Sequence, residues 1–416
     1  MGGTEMSEWK KVKLKDVATN ITDGKHGDCK DQRGSGYFFV SCKDVYDGEI
    51  HYENARQITK EDFEDTDKRT KLAPDDILIT NSGTIGRMAF VKDQLSTRKT
   101  TFQKSVAIVK PDSSKVFPLY LYYLLQSKVG EFVNSSNGAA QKNLLLSTMR
   151  DFDLDVLNSI PYQIRIATIL SRYDSLIENY QKQIKLLEEA AQRLYKEWFV
   201  ELRFPGYESA KIVDGVPEGW EKKTINDVTR KVTTGLNPRK NFVLGKGSNY
   251  YVTIKNMADN TFFLDDRCDK IDDEALEIIN KRSDLKIGDI LFSGIGTIGR
   301  VALVDIPTNN WNVSESVFTL RVNDIATKEF LYLMLLSPDV QNYCQSNAHG
   351  AAQKGIRMAD LKSYSFNAPP LVVMQKFTYL VTPTIKKVSS IRNQIRLLAE
   401  ARDRLLPKLM GGEIKV

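Results

Sequence analysis

The stretch Gly294-Ile-Gly-Thr-Ile-Gly-Arg300 places glycines at 294, 296 and 299, the G-x-G-x-x-G spacing of a dinucleotide-binding turn. Such a turn must follow a strand and open a helix whose N-terminus faces a pyrophosphate. A strand-like run, DILFS, precedes it, but Arg300-Val-Ala-Leu-Val304 after it is strand-like as well. The related stretch Asn81-Ser-Gly-Thr-Ile-Gly-Arg87 lacks the first glycine. The pattern therefore predicts a β-turn-β element with positive-φ glycines, not a nucleotide site. Other catalytic chemistry is equally thin. The histidines are His26, His51 and His349, and none has a cysteine or a second histidine at metal-ligand spacing, so no metal site is expected. The sequence holds no phosphate loop, H-E-x-x-H, G-x-S-x-G or N-P-P-[FY] signature. The pairs Asp75–Asp76 and Asp265–Asp266 sit at segment edges, where turn formation and solvation account for them. No catalytic residue is assigned.

The recurrence of Gly-Thr-Ile-Gly-Arg is one landmark of a longer duplication. Trp9 matches Trp220, an offset of 211; FVSCKDV at 39–45 resembles YVTIKNM at 251–257, an offset of 212. DILITNSGTIGRMAFV at 76–91 matches DILFSGIGTIGRVALV at 289–304, and GAAQK stands at both 138–142 and 350–354. IKLLEEAAQRL at 184–194 matches IRLLAEARDRL at 395–405. Two copies are too few for a solenoid and predict a pseudo-dimer on one chain, with an internal pseudo-two-fold.

These elements define what must position the turns. YFFVS, DILIT, RMAFV and SVAIV in copy one, and YYVTI, DILFS, RVALV and SVFTL in copy two, alternate in the manner of strands. PLYLYYLLQS at 118–127 and EFLYLMLLS at 329–337 are helix-like. Ile166, Leu170, Tyr173, Ile177, Tyr180, Ile184, Leu187, Ala191, Leu194 and Trp198 form a heptad seam. The second copy gives Phe377, Val381, Thr384, Val388, Ile391, Ile395, Leu398, Arg402, Leu405 and Leu409, with two polar interruptions. A helix of about 35 residues spans roughly 50 Å, and Pro383 is expected to kink or start the second one. The fold class is α+β: two mixed α/β domains plus two long helices forming an antiparallel coiled coil. The alternative packing sets each helix on its own globular domain.

The chain has 416 residues, 59 basic and 53 acidic, a net charge of +6. That is enough for two domains. Residues 371–416 carry nine basic and three acidic side chains, so the globular parts are near neutral and would hold a polyanion only through local patches. Cys29, Cys42, Cys268 and Cys344 lie far apart, which fits free thiols in the cytoplasm rather than a disulfide framework. No apolar run is long enough for a membrane span, and the N-terminus has no apolar segment of a secretory signal.

With its duplicated order, GTIGR, GAAQK, and the elements PYQIRIATIL at 161–170 and PPLVVMQKF at 369–377 leading into the heptads, the chain resembles the specificity (S) subunits of type I restriction–modification enzymes. The likeness covers nearly the whole chain; copy one carries Ile160-Pro161 where a double proline is expected. It implies residues 1–158 and 204–368 as target-recognition domains, each reading half of a bipartite DNA sequence. It implies 159–203 and 369–416 as spacer helices. It further implies a non-catalytic chain that docks methyltransferase subunits and, through them, restriction subunits. S-adenosylmethionine, ATP and Mg would belong to those partners, in a prokaryotic cytoplasm. The alternative is a coiled-coil adaptor that binds proteins without reading DNA.

Base readout needs Arg, Lys, Asn or Gln, and phosphate contacts need Lys, Arg, Ser or Thr. Unequal half-sites require loops equivalent in position and unlike in sequence, which 21–36 and 232–247 are. Candidates there are Thr22, Lys25, His26, Lys30 and Arg33, with Thr234, Asn237, Arg239, Lys240 and Asn241. The turns add Asn81, Ser82, Thr84 and Arg87, with Thr297 and Arg300. Lys43 and Lys255 are equivalent, as are Gln141 and Gln353, and Lys142 and Lys354; Lys99 and Lys104 lie in a stretch that aligns with the less basic 309–316. GAAQK serves either as a buried turn joining domain to helix or as a DNA or methyltransferase contact.

Overall fold

A computed structural model describes residues 9–136, 143–213, 215–350 and 354–416. It divides into two compact units: residues 1–179 with 394–416, and residues 180–393. Each unit thus takes one globular part and a portion of both long helices.

In the first unit a four-stranded antiparallel sheet runs Ala18–Asp23, Val106–Pro111, Ile77–Thr80, Met88–Phe90 in spatial order. A second sheet places Phe38–Val40 between Arg56–Gln57 and Thr100–Phe102, the last pair parallel. The second unit repeats both: Thr229–Thr234, Val317–Val322, Ile290–Ser293, Val301–Leu303, and Asn249–Val252 between Asp269–Ile271 and Trp311–Val313. All eight strand-like segments of the sequence form strands, and the apolar stretches become the helices Pro118–Ser127 and Lys328–Leu335. Both strand faces are apolar because each sheet is covered: Ile77 and Ile79 face one core, Leu78 and Val106 another.

A helix also leans on each second sheet, Lys60–Thr70 and Asp273–Ser283. Each is N-capped by a side chain, Thr59 accepting from the Asp62 N–H and Asp272 from the Ala275 N–H. Each ends on a left-handed residue, Lys71 and Asp284. The acidic pairs stand in turns. Asp76 accepts from the Ala73 N–H and pairs with Lys110, and Asp265 accepts from the Arg267 N–H.

The long helices span Ile160–Tyr195 and Leu371–Met410. No seam position of either is exposed. In the first unit Ile166 and Leu170 share a core with Leu409 and Met410, and Asp174 then meets Arg402 at 2.6 Å. In the second, Glu188 meets Arg392 at 2.6 Å, and Tyr195 and Trp198 pack on Phe377. Within each unit one helix climbs as the other descends, so the pairing is antiparallel. Both helices also pack on the globular parts, since Gln192 donates to the Leu333 carbonyl and Tyr123 lies 2.5 Å from Asp174.

The expectation that the second helix could start at Pro383 is corrected: the helix begins at Leu371 and runs through it. Pro383 is exposed and Tyr379, one turn earlier, is 82% exposed. Water can therefore take the bond that the missing N–H leaves open. Arg402, the charged interruption of the seam, is neutralised there by Asp174 and Asp403.

Candidate nucleic-acid interface

The GTIGR turns close in the same way in both units. Thr80 Oγ1 accepts from the Arg87 N–H at 2.9 Å, and Ser293 Oγ accepts from the Arg300 N–H at 2.8 Å. The same hydroxyls face the Thr84 and Thr297 carbonyls. Gly83, Gly86, Gly296 and Gly299 all take positive φ, between 79° and 92°. The strands Met88–Phe90 and Val301–Leu303 follow directly, as the sequence implied. Thr84 and Thr297 are exposed at the tips.

Four further loops gather beside each turn. In the first unit the Asn81 N–H donates to the Ser105 carbonyl and the Cys42 N–H to Ser105 Oγ, while the Lys104 N–H donates to the Lys25 carbonyl. Ser82 bridges Asn143, the first described residue after GAAQK. In the second unit the Gly235 N–H donates to the Ser314 carbonyl, Gly294 to Ser316, and Gly296 to Lys354. The recurrent turn and the end of the second recurrent motif are thus neighbours, which no sequence pattern had linked. Gly24 and Gly235 allow the approach: a Cβ there would lie 1.9 Å from the Phe102 carbonyl oxygen and 1.5 Å from that of Val313.

The candidate side chains fall into three groups. Thr22, Asn81 and Thr234 are buried under the loops. Arg69 Nε donates to Thr22 and Arg282 to Thr234. The strand registers pair Asp23 with Ala107 and Thr234 with Phe318, so Thr234 occupies the place of Asp23 rather than of Thr22.

A second group is held by protein partners. Lys25 pairs with Asp62 at 3.1 Å and with Asp65, and Asp62 also accepts the Lys30 N–H at 2.7 Å. Those two contacts, the Lys30 amide foremost, hold the Asp62 carboxyl below the usual carboxylate range. His26 Nε2 lies 3.0 Å from Asp23, which also takes Arg69. Asn237 donates to Glu315 at 2.7 Å and accepts the Arg239 N–H; Asn241 donates to the Asn237 carbonyl. Arg300 donates to the carbonyls of Ile254 (2.8 Å) and Met257, fixing the short helical turn that carries Lys255.

The third group is exposed: Lys30, Arg33, Lys43, Arg87 and Lys104 in the first unit; Arg239, Lys240, Lys255 and Lys354 in the second. Lys99 is exposed too, with its ammonium 5.6 Å from the Tyr37 ring centre. Gln141, Lys142 and Gln353 lie outside the described residues. Exposed cations beside backbone turns are suited to phosphates, which need charge and close approach rather than a cavity.

Among the described residues no helix is long and apolar enough to cross a membrane, and no three His, Cys, Asp or Glu side chains gather for a metal. The thiols are free; burial pushes those of Cys29 and Cys268 up, and that of Cys344 to about 12.

Comparison with known proteins accounts for this duplicated arrangement. The profile described as "Type I restriction modification DNA specificity domain" matches residues 6–189 and again 217–395. The chain is 27% identical to the type I restriction enzyme MjaIX specificity subunit of Methanocaldococcus jannaschii, across 98% of this chain and 94% of that one. It is 22% identical to the HindI specificity subunit of Haemophilus influenzae, across 98% and 100%. The crystal structure of a type I restriction–modification S subunit from M. genitalium shares the fold, with a TM-score of 0.56 at 15% identity over 98% of both chains. The profile matches twice, once on each copy of the repeat, and together the matches span most of the sequence; the chain belongs to the type I restriction–modification DNA specificity family.

Proposed function

We propose that this chain is the DNA-recognition subunit of a type I restriction–modification complex, with one half of a two-part duplex target read by each globular part. The observation that carries the reading is the repetition of one loop cluster on one scaffold, built twice with different side chains. A single symmetrical site would need no such divergence. The long helices act as spacer and as docking surface for methyltransferase subunits. Those subunits supply S-adenosylmethionine chemistry, and restriction subunits add ATP- and Mg-dependent cleavage. The chain itself performs no catalysis, and the complex works on DNA in the cytoplasm of a prokaryote.

The test is methylation mapping in cells that carry this chain and its methyltransferase partner. Methylated adenines should fall in a two-part motif with a fixed spacer. Duplex binding by the complex should weaken steeply with salt, as phosphate contacts release counterions. A complex that binds no duplex at low salt would leave the protein adaptor as the reading.

A further inference from the structure

The two loop clusters share a backbone and invert a charge. Phe102 and Val313 occupy the same register beside Val40 and Val252, and the next residues, Gln103 and Ser314, donate to the Val40 and Val252 carbonyls. Lys104 and Glu315 are therefore equivalent. So are His26 and Asn237, each two residues after its pinned glycine. Phe39 and Tyr251 are paired in the same way by their strands, each joining the residue before Phe102 or Val313.

In the first unit Lys104 is exposed and, among the described residues, its ammonium meets no acid. The acid of that cluster is Asp23, buried beneath His26 and tied to Arg69. In the second unit Glu315 is half-buried at the loop tip. Its Oε1 accepts from Asn237 Nδ2 at 2.7 Å, and its Oε2 lies 3.2 Å from the Tyr251 hydroxyl. That phenol is buried, and its single proton is shared with the Leu236 carbonyl at 2.6 Å. Burial and then the Glu315 charge push the phenol well above its ordinary value, so it remains a donor.

A carboxylate beside a polyanion costs repulsion, and a loop built only for phosphates would not hold one in place with two donors. A carboxylate has about four acceptor sites, of which two are used here. It offers no donor. Its complement on a base edge is an exocyclic amino group, such as cytosine N4. Lys104 at the same place has the opposite preference, for guanine O6 and N7.

On the reading that each unit takes one half-site, we infer that Glu315 and Lys104 are the specificity-determining pair. Glu315 accepts from a base amino group in the half-site of residues 180–393, and Lys104 donates to a guanine edge in the other. Asn237 and Tyr251 are positioning residues that hold Glu315.

The experiment maps methylated motifs made by the complete complex carrying wild-type chain, E315Q, E315K or Y251F. E315Q keeps the shape and adds donors. One position of one half-motif should lose at least about fivefold of its preference for an amino-bearing base, while the other half-motif is unchanged. E315K should move that position towards guanine. Y251F should relax the same position less than E315Q does and leave the remaining positions intact, which a loss of folding would not do. Retention of the full wild-type motif by both Glu315 variants overturns the assignment, as does change in both half-motifs. A wild-type complex that yields no two-part motif instead overturns the function on which the inference rests.

Discussion

A Cβ added to Gly294 would stand 2.3 Å from Cζ of Phe318. The ring, not backbone freedom, fixes this glycine, the first of the G-x-G-x-x-G. The equivalent positions in the other unit are Asn81 and Ala107: where the facing side chain is a methyl, the strand end carries a full side chain. The two copies fill one buried space in opposite ways.

That relationship makes a stability prediction. G294A should cost about 1–3 kcal/mol through overpacking, and F318A about 3–5 kcal/mol through the cavity it leaves. The double variant should cost less than the sum, because the new methyl enters the vacated space. Urea unfolding of the full chain measures all three; strict additivity would show that the ring does not dictate the glycine.

Arg87 and Arg300 are equivalent in sequence and unequal in the fold. Arg87 is exposed, whereas Arg300 is tied to two carbonyls. R87A should weaken duplex binding on every sequence alike and reduce the slope of log K against log salt by about one. R300A should lower the unfolding midpoint and leave that slope unchanged. A filter-binding series between low and moderate salt, with a melting curve for each variant, separates the two outcomes.

The Arg402–Asp174 pair joins the two long helices at 2.6 Å, with side chains 28% and 34% exposed. Discounted for that exposure, R402A should cost about 1–2 kcal/mol and D174A less, because Arg402 keeps its pair with Asp403. Replacement of both by leucine should recover much of the loss, since the position lies on an apolar seam. Calorimetry of the full chain tests this; a double variant as unstable as the singles would mean that the pair does more than neutralise itself.

Asp62 is held below the carboxylate range by the Lys30 N–H and the Lys25 ammonium. Its folded pKa is the lower one, so its contribution is complete above the unfolded value and is lost as pH falls through the folded value. The Lys30 amide should therefore be protected from hydrogen exchange at neutral pH and exchange freely in acid. D62N, which keeps the shape without the charge, should weaken that protection at neutral pH and remove its dependence on pH across the acidic range.

Much of this molecule is written in local pattern. The duplication, the eight strands, the long helices and the β-turn-β character of GTIGR follow from residue spacing, because alternation and heptads are properties of neighbours along the chain. Pro383 misled for the same reason: its effect depends on whether water can reach the helix, and only packing sets that.

Chemistry at the loops depended on what lies opposite in space. The sequence marks Arg87 and Arg300 alike, but neighbouring carbonyls leave one free and take up the other. It offers Thr22 and Thr234 as equals, although strand register sets Thr234 in the place of Asp23. It set Glu315 against a more basic stretch but gave the acid no role, since an acid in a loop has no signature until Asn237 and Tyr251, 78 and 64 residues away along the chain, are brought to its oxygens. Sequence alone determined the repeated scaffold, through periodic burial along each element. Tertiary structure alone decided which polar groups are already spent, because hydrogen-bond capacity is consumed by partners far away along the chain.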